Sequence, residues 1–156
     1  AGISACGKGG QWQQALSLLS EMRMASLELD VTSYSACISA CEKGGQWQRA
    51  LSLLGELREA KQQPGIIVYN AGVSACGKSS QWQQALLLLS ELWEVELEPT
   101  SISYNAGISA CEKSGKWQQA LLLLGELEEQ WEPDDISYLA GIGACEKGGQ
   151  WQRALA

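Results

Sequence analysis

The sequence predicts an all-α fold, a right-handed α-solenoid built from helix-turn-helix repeats. One pattern recurs along the whole chain, and its tryptophans are separated by 35, 35, 35 and 34 residues. Each copy holds two apolar stripes with helical spacing, and glycine, serine or proline separates the stripes. A single helical hairpin cannot bury its apolar face alone, whereas stacked copies can. The recurring residues are the tryptophans Trp12, Trp47, Trp82, Trp117 and Trp151, the lysines Lys8, Lys43, Lys78, Lys113 and Lys147, and the tyrosines Tyr34, Tyr69, Tyr104 and Tyr138.

The repeat pattern makes the chain one solenoid domain of about five units. The units are 1–30, 31–65, 66–100, 101–134 and 135–156. The first unit is truncated at its front and the last at its back, and the unit 101–134 is one residue short. Neither end carries a polar cap, so we expect a larger protein or a partner to cover the ends.

The first helix of each unit is predicted by an apolar stripe around its tyrosine and cysteine. In the unit 66–100, Tyr69, Val73 and Cys76 lie at positions i, i+4 and i+7 of one helical face. Alanine, glycine and serine between them keep the helix thin, so a neighbouring helix can approach closely. Ser79 and Ser80, which are glycines or a serine-glycine pair in other units, then break the helix.

The second helix of each unit begins next to its tryptophan. In the unit 66–100 it starts near Gln81, and Trp82, Leu86 and Leu89 share one face. Because proline cannot continue a helix, Pro64, Pro99 and Pro133 close their units. We expect the first helices to line the concave side of the solenoid and the second helices the convex side, with the repeated tryptophans in the core.

Composition excludes several classes of function. Eighteen acidic against eleven basic residues give a net charge of -7, which excludes a uniformly basic nucleic-acid surface but not a local basic stripe. The chain has no histidine, the commonest general base and metal ligand. It also lacks a P-loop and a dinucleotide-binding glycine pattern, so we expect no enzyme, no cofactor and no small-molecule substrate. No apolar run approaches the ~20 residues of a membrane span.

The six cysteines are predicted to be small core residues rather than metal ligands. Five of them follow the repeat spacing and no CxxC motif occurs, so a tetrahedral zinc site would need ligands from elsewhere. Small buried hydrophobic residues in a reducing compartment explain them better. They are Cys6, Cys37, Cys41, Cys76, Cys111 and Cys145.

The units resemble the pentatricopeptide repeat of the P type. A unit reads ISYNAGISACEKSGKWQQALLLLGELEEQWEPD, with a Tyr-Asn pair in the first helix, a Lys-x-Gly step, an Ala-Leu-x-Leu-Leu core and a closing Pro-Asp. The resemblance covers the whole chain in register and indicates a fragment of a longer protein. The tetratricopeptide repeat is the nearest alternative, but its large-residue pattern in the first helix is absent. The resemblance implies a single-stranded RNA binder of a plastid or mitochondrion that reads about one base per repeat.

The resemblance also implies which residues read the bases. In the family, the residue after the tyrosine and the last residue of the unit face the base edge together. Here those pairs are Ser35 with Gly65, Asn70 with Thr100, and Asn105 with Asp134, and the half-pairs are Asp30 and Leu139. Asn105 with Asp134 implies uracil, and asparagine can pair with a base edge through both its donor and its acceptor. Asn70 with Thr100 implies a pyrimidine, whereas Gly65 has no side chain to offer.

Two further rows complete the implied RNA site. The aliphatic residues two before the tyrosines sandwich the bases, a role that Ile67, Ile102 and Ile136 fit. The five repeated lysines end the first helices, where they can meet phosphates. A cation at a helix C-terminus is also favourable without RNA, and the asparagines can instead bond local backbone.

A second hypothesis is a structural or assembly role in a large organellar complex such as a ribosome or photosystem. Trp93 and Trp131 depart from the repeat pattern, and the site equivalent to Trp93 holds Arg58 or Glu128. That position therefore tolerates charge, and we expect these two tryptophans to be candidate protein contacts. The acidic residues are concentrated in the second helices and linkers, which leaves the first-helix side nearly neutral.

Overall fold

The computed structural model describes residues 2–9 and 11–155, and within them the chain forms ten α-helices and no strand. The first helices of successive repeats are α1 (Gly2–Gly9), α3 (Val31–Lys43), α5 (Ile66–Lys78), α7 (Ser101–Lys113) and α9 (Asp135–Lys147). The second helices are α2 (Trp12–Met24), α4 (Trp47–Glu59), α6 (Trp82–Glu94), α8 (Trp117–Gln130) and α10 (Trp151–Ala154). The prediction of an all-α fold of repeated helix pairs is confirmed.

Two compact units divide the chain, Ala1–Ala75 and Cys76–Ala156, and their boundary falls inside α5. In the first unit, α3 packs against α1, α2 and α4. In the second unit, α7 packs against α6, α8 and α9, and α9 also contacts α8 and α10. The first helices α3 and α7 therefore each pack against the second helix of their own repeat and against helices of a neighbouring repeat. Within the described residues, no helix combines the length and the apolar character that crossing a membrane requires.

The helix boundaries follow from local chemistry at each end. The Asp30 carboxylate caps α3 by accepting from the Ser33 backbone N–H at 2.9 Å, and Asp134 caps α9 in the same way. The turns into α4, α6, α8 and α10 each contain a left-handed residue, which is glycine at Gly45 with φ +67° but serine at Ser80 with φ +57°. The N–H before each tryptophan also bonds back to a cysteine carbonyl, at 2.8 Å for Gln81 and Cys76.

Small residues on the first helices allow close packing, as the sequence predicts. A Cβ added to Gly107 would lie only 2.6 Å from Leu89 Cδ1, and one added to Gly77 would lie 3.1 Å from the Ala106 carbonyl oxygen. The tyrosines Tyr34, Tyr69 and Tyr104 are buried. The buried aliphatic residues include Ile38, Leu54, Leu57, Leu92, Ile108 and Leu127.

All six cysteines are free and buried, in agreement with the prediction that they are core residues. Burial raises the pKa of the Cys37 thiol to about 12, and Cys41 and Cys6 add to the shift. Burial also raises the pKa values of Cys76 and Cys111 to about 11. These thiols stay protonated near neutral pH, so they behave as small apolar side chains.

Trp12, Trp82 and Trp117 contact the next repeat, so the prediction that the repeated tryptophans belong to the core was wrong for those whose side chains the structure describes. Trp12, Trp47, Trp82 and Trp117 are half-buried, and the side chain of Trp151 lies outside the described residues. Trp12 lies against the turn of the next repeat, because a Cβ added to Gly44 would come within 2.1 Å of its Cδ1. The Arg49 guanidinium covers the same ring at 4.5 Å from its centroid.

Candidate nucleic-acid interface

The structure brings the predicted base-reading pair Asn105 and Asp134 into direct contact. Asn105 is the fifth residue of α7, and Asp134 is the N-cap of α9, the first helix of the next repeat. The amide nitrogen Nδ2 of Asn105 donates to the Asp134 carboxylate, at 3.3 Å from Oδ1 and 3.2 Å from Oδ2. Stacking of successive first helices therefore assembles the pair from residues 29 positions apart in the chain.

Ser137 organises this pair, and the sequence analysis did not identify it. Its Oγ lies 2.5 Å from Asn105 Oδ1 and 2.7 Å from Asp134 Oδ1, so its single hydroxyl proton can donate to either acceptor. Its backbone N–H donates to Asp134 Oδ1 at 2.9 Å. The sequence feature that could have identified Ser137 is the helix cap, because this serine follows the cap residue Asp134 by three positions.

Hydrogen bonds hold the Asp134 carboxylate in its charged form. The Ser137 hydroxyl and then the Ser137 backbone N–H lower the pKa of Asp134, and Asn105 adds a smaller lowering. The Asp30 carboxylate in the first unit has a lowered pKa from the equivalent Ser33 bonds. Both carboxylates therefore carry a negative charge at neutral pH and serve as helix caps whether or not a base is present.

The other two predicted pairs differ from the Asn105–Asp134 pair. Ser35 is half-buried in α3, and a Cβ added to Gly65 would meet nothing within 4 Å. Asn70 and Thr100 lie in different compact units, and the Thr100 N–H donates to Ser103 Oγ at 3.0 Å in a capping box. Thr100 thus acts as a cap in the same way as Asp134.

The three predicted base-sandwiching residues are exposed in the first turns of α5, α7 and α9. Ile67, Ile102 and Ile136 are 78%, 66% and 65% exposed. Aliphatic side chains this exposed leave apolar surface in water, and here they recur at one position of the repeat. Leu139, the half-pair residue of the last unit, is also exposed.

The five repeated lysines are exposed at the ends of the first helices, and two of them connect neighbouring repeats. Lys43 Nζ donates to the Lys8 carbonyl oxygen at 2.9 Å. Lys147 Nζ forms an ion pair with Glu112 Oε1 at 2.8 Å. A lysine here thus stabilises the helix C-terminus of the preceding repeat, which is the alternative role that the sequence leaves open.

The two irregular tryptophans lie apart from these rows. Trp93 is half exposed near the end of α6, where its indole interacts with the Tyr104 hydroxyl. Trp131 is exposed and extended directly after α8, and its N–H donates to the Leu127 carbonyl oxygen at 2.7 Å. Neither side chain joins the Asn105–Asp134 pair.

Two family models match the sequence. The pentatricopeptide repeat domain model matches residues 17–79, and the PPR repeat model matches residues 3–27 and 102–130. No curated protein sequence matches the chain.

Solved structures of the same architecture match nearly the whole chain. Pentatricopeptide repeat protein PPR10 in complex with an 18-nt psaJ RNA element superposes with a TM-score of 0.82 at 28% identity. That match covers 98% of this chain but only 23% of PPR10, which is also known as a crystal structure from maize. The PPR domain of Arabidopsis thaliana protein-only RNase P 1, in complex with tRNA, gives a TM-score of 0.82 at 16% identity over 98% of this chain and 83% of that chain.

The sequence matches and the structural matches agree on one repeat family. Together the two models match residues 3–79 and 102–130, which is more than half of the chain. The repeated helix pairs of the structure are those of the solved relatives. The chain therefore belongs to the pentatricopeptide repeat family.

Proposed function

We propose that this chain binds single-stranded RNA, about one base per repeat, as part of an organellar RNA-processing or RNA-stability factor. The observation that carries the proposal is the preformed contact of Asn105, Asp134 and Ser137. Support comes from PPR10, which was solved with an 18-nt RNA and shares 28% of its residues with this chain over the matched region. The proposed role is binding and not catalysis.

The hydrogen bonds around Asn105 leave a defined edge for a base. One amide N–H is used by Asp134 and one lone pair of Oδ1 by Ser137, so one donor and one acceptor remain. A uracil presents its N3–H donor beside a carbonyl acceptor, which complements that edge. Cytosine presents an N3 lone pair instead, which the negative charge of Asp134 disfavours.

The exposed isoleucines and lysines supply the sequence-independent part of binding in this proposal. Ile67, Ile102 and Ile136 offer apolar surfaces against which bases can stack. Lysines at the ends of the first helices offer cations to phosphates. Because Lys43 and Lys147 are engaged with neighbouring repeats, we take Lys113 as the phosphate-binding candidate to test in the second unit.

The experiment measures fluorescence anisotropy of labelled U, C and A homopolymers of about 12 nucleotides, longer than a site of one base per repeat. The Asn105→Ser variant, which carries the residue of the Ser35 position, is expected to lower affinity for the U homopolymer roughly tenfold. Its affinity for the A homopolymer should change little. The control is Gln118→Ser, which removes an exposed amide from the second helix α8. Equal binding of the U homopolymer by N105S and the unsubstituted chain would overturn the base-reading assignment.

A salt titration tests the phosphate role separately. The Lys113→Gln variant should lower the slope of log affinity against log salt by about one, with the same loss for every homopolymer. A slope unchanged by this substitution would contradict phosphate binding by Lys113 and leave the base-reading test unaffected.

A further inference from the structure

A groove in the second unit separates the second helices α6 and α8. It has a volume of about 260 Å³ and is lined by Leu86, Leu89, Trp93, Tyr104 and Leu123, with Glu126 at its side. The indole of Trp93 is 50% exposed at this groove. Except for Glu126 and Ser90, the lining side chains present carbon surface and aromatic edges.

The first unit holds an equivalent groove that differs mainly in its basic residues. It lies between α2 and α4 and has a volume of about 310 Å³. Its leucines, Leu16, Leu19 and Leu53, are the equivalents of Leu86, Leu89 and Leu123, but Arg23 and Arg49 also line it. Arg23 occupies the repeat position of Trp93 and forms an ion pair with Glu56 across the groove. An ion pair therefore bridges the groove of the first unit, whereas an exposed aromatic ring lines that of the second.

Two exposed leucines are sequence neighbours of the groove-lining Leu86 and Leu123, at repeat positions where the first unit has serines. Leu87 and Leu122 are 52% and 62% exposed on α6 and α8. The same repeat positions in the first unit hold Ser17 and Ser52. A half-exposed tryptophan and two exposed leucines on the same pair of helices have the composition of a protein-binding hot spot.

Charge identifies the partner that this surface fits. The segments 82–98 and 117–132, which contain α6 and α8, have eight acidic residues and no lysine or arginine. The equivalent segments of the first unit mix both signs, with Arg23, Arg49, Arg58 and Lys61 among their acidic residues. The acidic residues of the second unit are Glu91, Glu94, Glu96, Glu98, Glu126, Glu128, Glu129 and Glu132. Such a field attracts a cationic partner and repels RNA phosphates.

We propose that the groove between α6 and α8 binds a basic amphipathic helix of a partner protein. An apolar side chain of that helix enters the groove and packs on Trp93, while Leu87 and Leu122 cover the flanking apolar face. Lysines or arginines on the sides of the helix pair with Glu126 and the acidic residues around the groove. This interaction is independent of RNA binding, because the groove is built from side chains outside the Asn105–Asp134 pair.

The test uses the whole chain and two labelled synthetic helices of about 18 residues, or five turns. One carries leucine and phenylalanine on one face and lysine and arginine on the other, and the second replaces each basic residue with glutamate. Affinity is measured by fluorescence anisotropy without RNA. The Trp93→Arg variant copies the residue of Arg23 and Arg58 and should weaken binding of the basic helix by roughly tenfold or more.

Two further variants distinguish a loss of contacts at the groove from a failure of the chain to fold. The double variant Leu87→Ser and Leu122→Ser copies the first unit and should weaken binding several-fold, as about 1 kcal/mol of lost contact predicts. The matched control is Met24→Ser, which removes an exposed apolar side chain from α2 of the first unit and should leave affinity unchanged. Circular dichroism verifies that all variants retain their helix content.

Each of three results would overturn the proposal. The first is equal binding of the basic helix by W93R and the unsubstituted chain. The second is binding of the acidic helix as tightly as the basic one, which would remove the charge argument. The third is self-association in analytical ultracentrifugation that W93R abolishes, which would make a second copy of this chain the occupant of the groove.

Discussion

Tyr34 in the first unit and Tyr104 in the second occupy the same position of their repeats, yet their hydroxyl groups have different neighbours. Arg23 lies 3.4 Å from the Tyr34 hydroxyl oxygen and also pairs with Glu56. Burial raises the pKa of Tyr104, the charge and hydrogen bond of Glu126 raise it further, and the Trp93 indole opposes them. Both tyrosine side chains are nevertheless buried.

The difference between these junctions shows where the repeats vary without changing their fold. The residue eleven positions after the repeated tryptophan, which is Arg23 in one unit and Trp93 in the other, contacts the tyrosine of the next repeat. A charged and an aromatic side chain both satisfy that contact. The helices are 13 residues long in both cases, so the substitution changes the surface of the junction and leaves its backbone in place.

The largest expected effect comes from removing the tyrosine that both kinds of junction share. The Tyr104→Ala substitution deletes a ring that is 2% exposed and should lower the free energy of unfolding by about 3–5 kcal/mol. Tyr138→Ala provides the control, because Tyr138 is 44% exposed and its loss should cost less than about 1 kcal/mol. Urea denaturation followed by circular dichroism measures both. Equal costs would show that the burial of the ring does not determine the cost of its removal.

A smaller effect is expected at the glycine that supports Trp12 in the first unit. Gly44→Ala places a Cβ 2.1 Å from Trp12 Cδ1, so the ring must move away from the turn and from Arg49. We expect a loss of about 1–2 kcal/mol in urea denaturation. Gly55→Ala is the matched control, since its Cβ meets nothing within 4 Å and alanine favours the helix by roughly 0.5–1 kcal/mol. A stabilised G44A variant would contradict this account of Trp12.

The fold was predictable because the repeat spacing, the apolar stripes and the breaking residues all point to the same helix pairs. The position of Trp12 was not, because its spacing matches an apolar stripe whether the ring enters the core or lies against a glycine of the next repeat. Ser137 was missed because its partner Asn105 belongs to the preceding repeat and meets it only when the first helices stack. A periodic pattern thus identifies helical faces, whereas contacts between repeats depend on their stacking.

The two junctions should also differ in their response to salt. Arg23→Ala removes an ion pair whose side chains are 44% and 36% exposed, so we expect a loss below about 1 kcal/mol that shrinks further in high salt. Trp93→Ala removes an uncharged side chain that interacts with the Tyr104 hydroxyl, so its cost should stay constant as salt increases. Thermal unfolding at low and high salt measures both. An equal salt response of the two variants would show that the junctions use the same kind of interaction.

The smallest expected effect is a change in the pKa of one capping aspartate, Asp134, with no change in the pKa of the other, Asp30. Asp30 and Asp134 each accept hydrogen bonds from a serine three residues later in the chain. Asp134 also accepts a hydrogen bond from Asn105. Asn105→Ala should therefore raise the pKa of Asp134 slightly toward its usual 3.8, and Ser35→Ala should leave the pKa of Asp30 unchanged. Carboxyl NMR titration measures both values, and Ser137→Ala, which removes the strongest donor, should give the largest rise.

The sign of the linked stability follows from the direction of that shift. Because the folded pKa of Asp134 lies below its unfolded value, the stabilisation by its hydrogen bonds is present above the unfolded pKa and is lost as pH falls through the folded pKa. S137A should therefore reduce the part of the free energy of unfolding that Asp134 contributes and that is lost at acid pH. Ser33→Ala should reduce the corresponding contribution of Asp30. An unchanged pKa of Asp134 in both N105A and S137A would contradict the preformed pair, and with it the proposed uracil edge.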